Sequence, residues 1–85
     1  MNNVFQTLKK AIREIQEQQS YPLIEVTADA NLVNDLGLAS LDLAQLVAMM
    51  ETELGVDPFA AGATLDQVAT VKDLCRLYSA EASAQ

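Results

Sequence analysis

The chain has 85 residues, the size of one small domain of modest stability. Five Lys and Arg against twelve Asp and Glu leave a net charge of −7, which speaks against nucleic-acid and anionic-membrane binding, and no apolar run approaches the roughly 18 residues of a membrane span. Histidine is absent and cysteine occurs once, which removes the usual general base, Ser–His and Cys–His dyads, internal disulfides and Cys-rich zinc sites. The expectation is a carrier or binding module rather than an enzyme, with no metal site.

In chain order, Val4, Phe5, Leu8, Ala11, Ile12 and Ile15 follow helical spacing and form one apolar stripe. Asn2 or Asn3 can cap this helix, and it is expected to fade near Gln19. Residues 20–39 have no sustained period and contain Pro22, Asn31, Asn34 and Gly37, all turn formers. They predict a long first loop, with one helical turn near 32–35. Leu23, Ile24, Val26, Leu32, Val33, Leu36 and Leu38 are its expected anchors onto the core.

A second helix is predicted from about Ser40 to Leu54, ended by Gly55. Leu43, Leu46, Val47, Met50 and Leu54 share its core face. The opposite face carries Leu41, Gln45, Ala48, Met49 and Thr52, with Asp42, Glu51 and Glu53 at its margins. Asp57-Pro58 marks the start of a short extra helix, interrupted by Gly62, and 64–68 suggests another turn. Thr70 is the expected N-cap of the last helix, with Asp73 three residues on as a weaker form of the capping box. Val71, Leu74, Cys75 and Tyr78 make its stripe, and 81–85 is a frayed tail. No strand pattern or repeat is visible. The predicted fold is all-α: a single domain over 1–85, a small four-helix bundle of three main helices and one short one.

Charge is unevenly placed. Lys9, Lys10 and Arg13 sit on the first helix and Lys72 and Arg76 on the last; from Glu14 to Val71 there is no basic residue. A field of this kind steers basic partners.

The segment Asp35-Leu36-Gly37-Leu38-Ala39-Ser40-Leu41-Asp42-Leu43 sets a serine where a loop turns into an acidic amphipathic helix. Taken alone, Ser40 is an ordinary N-cap serine. In context the chain resembles the acyl carrier proteins, whose signature is D-L-G-x-D-S-L followed by a helix, and the likeness spans nearly the whole chain. The resemblance implies a 4′-phosphopantetheine arm on Ser40, attached from coenzyme A by a phosphopantetheinyl transferase, whose thiol holds an acyl group as a thioester. A lone thiol, with Met1-Asn2-Asn3 lacking the features of a secretory signal, suits a reducing cytoplasm, and a monomer is expected. The partners that the resemblance implies are an acyl-loading ligase or transferase and ketosynthase-type or other thioester-processing enzymes. Leu41, Asp42, Gln45, Ala48, Met49, Glu51 and Glu53 are the candidate docking residues.

Two positions depart from the family pattern. Ala39 stands where the aspartate before the serine is usual, and Gln45 where a glutamate is common. Together with the stretch 55–60, they point to a specialised fatty-acid or polyketide pathway. An aminoacyl or peptidyl carrier and an unmodified acidic interaction module are the alternatives.

Overall fold

A computed structural model describes residues 3–60, 62 and 68–83. Among these it contains three helices: α1 (Asn3–Gln18), α2 (Ser40–Leu54) and α3 (Val71–Ser83). The expected cap at Asn2 lies outside the described residues, and Asn3 is already helical.

The stripe on α1 is core as expected. Leu8, Ala11, Ile12 and Ile15 are buried, with Val4 and Phe5 half-buried at one end. The helix does not simply fade. Tyr21 N–H donates to Gln16 O (2.9 Å) and Ser20 N–H to Glu17 O (3.3 Å) around Ser20 at φ 58°. This is the paired C-terminal bonding of a Schellman motif. A serine holds a left-handed position that costs a Cβ-bearing residue about 1 kcal/mol, and Tyr21 follows it with its hydroxyl on Asp42 of α2.

Helix α2 buries Leu46 and Met50, with Leu43, Val47 and Leu54 half-buried beside them. Gly55 terminates it at φ 71°, its N–H donating to Glu51 O at 2.8 Å, as its sequence position predicts. Helix α3 buries Val71, Leu74, Cys75 and Tyr78, the whole expected stripe. Its start is a reciprocal capping box: Asp73 N–H donates to Thr70 Oγ1 (3.2 Å), and Thr70 N–H donates to Asp73 Oδ2 (3.1 Å). The Tyr78 ring meets Phe59 edge-on at 6.3 Å. Burial pushes the Tyr78 phenol up to about 12. Helix α1 packs against both of the others, so truncating a central leucine such as Leu46 to alanine costs about 2–5 kcal/mol.

The long loop is held at both edges. Leu32 N–H donates to Ala69 O (2.9 Å) and Val71 N–H to Ala30 O (3.0 Å), an isolated antiparallel bridge between Asn31 and Thr70 that no sequence alternation announces. A turn covers 32–36, where one helical turn is expected. Of the expected anchors, Val26, Leu32, Leu36 and Leu38 are buried, whereas Leu23, Ile24 and Val33 are exposed. Ile24 N–H turns back onto Pro22 O. Val33 N–H is held by the Asn31 side chain, so the N–H groups of Ile24 and Val33 are satisfied without their side chains entering the core. At the expected short helix, residues 58–60 form a turn led by Asp57, whose Oδ1 accepts from Phe59 and Ala60. The rest of that stretch, with most of the turn expected at 64–68, lies outside the described residues.

Candidate functional site

Ser40 is the first residue of α2 and is exposed. The loop before it is built to hold this position. Asn31 Oδ1 accepts from Val33 and Asn34, and Asp35 Oδ2 accepts from Asn31 N–H at 2.7 Å. Leu36 and Leu38 are buried on either side of Gly37, whose φ of 72° lets the chain reverse between them. Ala39 is extended (φ −85°, ψ 171°) and is the N-cap, so Ser40 is one position inside the helix rather than at the cap. The first intrahelical bond runs from Leu43 N–H to Ala39 O. The N–H groups of residues 40–42 precede it and have no partner within the helix. With the helix dipole they favour an anion beside Ser40.

An alanine cap has no side-chain acceptor, so only half of a capping box exists here. Asp42 supplies it: its Oδ2 accepts from Ala39 N–H at 2.9 Å. The same oxygen accepts from Tyr21 Oη–H at 2.6 Å, and Oδ1 accepts from Gln19 Nε2 at 3.3 Å. Asp42 is 2% exposed. This corrects its expected place at the solvent margin. A helix wheel puts residue 42 between faces, but the chain leaving α1 folds over it and closes it in. The hydrogen bond to Asp42, reinforced by burial and by the negative charge, holds the Tyr21 phenol above its usual range.

The remaining docking candidates divide. Leu41 is 76% exposed, and Ala48, Glu51 and Glu53 are also exposed, as expected. Gln45 and Met49 are half-buried, because α1 covers that side of α2. Gln45 Nε2 donates to Gln18 Oε1 at 2.8 Å, and Met49 packs against the core. An open groove of about 420 Å³ runs between the helices, with Thr7, Lys10 and Glu14 on one wall and Gln45, Ala48, Met49 and Glu53 on the other. On the other flank of α2, a mostly apolar pocket of about 200 Å³ lies at the 31–34 segment, lined by Leu32, Val33, Leu43, Val47, Val68 and Leu74 together with Asn31 and Asn34.

Three residues that matter here escaped sequence reasoning. Tyr21 and Gln19 lie 21 and 23 positions from Asp42, a pairing that no local period encodes. Gln16 is fully buried, and its Nε2 donates to Ile24 O at 3.2 Å. Its signal was present: residue 16 follows Ile12 by four and so shares the core face.

The family model described as the phosphopantetheine attachment site matches residues 6–78. An acyl carrier protein of Coprothermobacter proteolyticus is 35% identical over 74 residues, which cover 84% of this chain and 80% of that protein. The solution structure of an acyl carrier protein from Pseudomonas fluorescens, involved in mupirocin biosynthesis, superimposes with a TM-score of 0.80 at 38% identity. The match covers 89% of this chain and 68% of that one.

Proposed function

The chain belongs to the acyl carrier protein family, and from that premise we propose that Ser40 is the residue bearing its arm. Members of this family carry a covalent 4′-phosphopantetheine and serve fatty-acid or polyketide biosynthesis. They interact with a phosphopantetheinyl transferase and with acyl-processing enzymes. When bound, the group supplies a terminal thiol that holds acyl cargo as a thioester. The observation that supports Ser40 is its exposed place on the first turn of α2. There a transferase reaches the hydroxyl without opening the bundle, and free N–H groups suit a phosphodiester.

Leu41, next in the chain and exposed, is the apolar docking contact of this reading, with Ala48 further along the helix. Glu51 and Glu53 supply charge that steers basic partner surfaces. Gln45 and Met49 contribute to the α2 wall of the α1–α2 groove, and Asp42 contributes by holding the helix start. The mostly apolar pocket beside Leu43 and Leu74 favours an acyl chain over a charged aminoacyl group, whose burial is costly. Ala39 and Gln45, which lower the negative charge near Ser40, support a specialised pathway. Its partners would be a dedicated loading enzyme and a ketosynthase-type enzyme in the cytoplasm.

The test is intact mass after incubation with coenzyme A and a broad-specificity transferase, followed by fragment mapping. One arm on Ser40 is expected; an unmodified chain, or an arm on Ser20 or Ser79, overturns the assignment. For docking, Glu51→Lys with Glu53→Lys is expected to slow acyl loading by partner enzymes at low salt. The difference from the parent shrinks as salt screens the charges. Equal rates at low salt would count against this surface.

A further inference from the structure

We propose that Tyr21 is a positioning residue for the loading of Ser40, acting through the buried carboxylate of Asp42. The proposal rests on the reading of Ser40 as the attachment serine. In loading, Ser40 Oγ forms a bond to the phosphorus of coenzyme A that bears the pantetheine. The P–O bond of the pyrophosphate breaks, adenosine 3′,5′-bisphosphate leaves with the electron pair, and the serine proton passes to the transferase. The carrier's own contribution is where it holds Oγ.

That position is set by a short chain of contacts. The Schellman motif at the end of α1 fixes Tyr21. Its ring, half-buried, packs against the core. Its hydroxyl donates to Asp42 Oδ2 at 2.6 Å, and the same oxygen holds the N–H of Ala39, the residue before Ser40, at 2.9 Å. Gln19 steadies the other carboxylate oxygen. A side-chain cap at residue 39 would tie down the helix start locally, but alanine has none. The orientation of the serine turn is therefore handed to a tyrosine 21 positions from Asp42. The Tyr21 phenol, which the hydrogen bond to Asp42 holds above its ordinary value of 10.0, is a donor throughout the neutral range.

Tyr21→Phe removes the hydroxyl and keeps the ring, so it tests the hydrogen bond alone. The experiment is the initial rate of holo-protein formation, followed by mass, over a series of carrier concentrations with one transferase and coenzyme A. The variant is expected to lose roughly 3–10-fold in kcat, less than the ~10²-fold that an ångström of misplacement costs. Its KM changes less than about twofold, because the docking acids are untouched. Ala39→Asn, which supplies an acceptor for Asp42 N–H at a cap with suitable extended geometry, is expected to restore most of the lost kcat in the Tyr21→Phe background.

Loading at the parent's rate overturns the proposal. So does a change confined to KM, or a loss that Ala39→Asn leaves in place. Should Tyr21→Phe not fold at the assay temperature by circular dichroism, Gln19→Ala removes a donor from the other oxygen. A smaller kcat loss is then expected, and an unchanged kcat overturns the idea. A parent that takes no arm on Ser40 refutes the attachment reading, and the proposal with it, before any variant is compared.

Discussion

Helices α2 and α3 begin in different ways, although each has an acid at its third residue. The start of α3 carries its own side-chain cap: Thr70 and Asp73 satisfy each other's backbone within four residues, and Ala69 N–H adds a third bond at 3.0 Å, while the next N–H groups, of Val71 and Lys72, donate to Ala30 O and Ala28 O in the long loop. The start of α2 is half open. Ala39 offers nothing, and Asp42 reaches back to it only as one of three donors' shared acceptor, the other two coming from Gln19 and Tyr21 beyond α1. The side-chain cap of one start is local. The other depends on tertiary contact, and it is the one that presents Ser40. A cap whose acceptor is held from elsewhere in the fold responds to changes there.

The sharpest way to break the comparison is Asp42→Ala. It strips the acceptor from three donors at a buried position and is expected to cost about 3 kcal/mol, or roughly 12–24 °C in Tm for a domain of this size. A thermal melt by circular dichroism checks it, and a drop of only a few degrees would put Asp42 on a par with an ordinary cap. Thr70→Ala supplies the contrast. It loses one local cap, about 1 kcal/mol and roughly 4–8 °C, and the rate at which Ser40 is loaded is expected to match the parent's. Slower loading in that variant would show that the two starts are coupled.

The smallest effect concerns pH. Backbone hydrogen bonds from Ala69 and then Thr70 hold the Asp73 carboxyl below its ordinary value of 3.8. A carboxylate whose folded pKa is depressed binds its proton more readily when unfolded. The stabilisation it contributes is therefore complete above the ordinary value and lost as pH falls through the lower, folded one. Asp73→Asn is expected to lower stability at neutral pH and to flatten the acid limb of the melting curve below about pH 4. An acid limb identical to the parent's would remove Asp73 from the account.

Local pattern made much of this molecule legible. The stripes of α1 and α3, Gly55 as a terminator and the Thr70–Asp73 box all follow from residues within one or two turns of each other, and each stands as expected. Ser40 at a loop–helix junction was legible for the same reason. Asp42 was not, because its surroundings are made by residues more than 20 positions away. The wheel of α2 alone puts Met49 and Gln45 at solvent, because it carries no information about where α1 lies. Apolar character alone points Leu23, Ile24 and Val33 to the core. In an aperiodic loop, however, backbone hydrogen bonds such as those at Pro22 and Asn31 decide which side chains turn inward.

The central claim, that the tertiary-capped start of α2 exists to present Ser40, is tested most directly by Ser40→Ala. Ser40 is inside the helix rather than at its cap, so the exchange is expected to change stability by no more than about 0.5 kcal/mol. Intact mass after incubation with coenzyme A and a broad-specificity transferase is expected to show one phosphopantetheine on the parent and none on the variant. An arm on the variant, or none on the parent, would contradict the account.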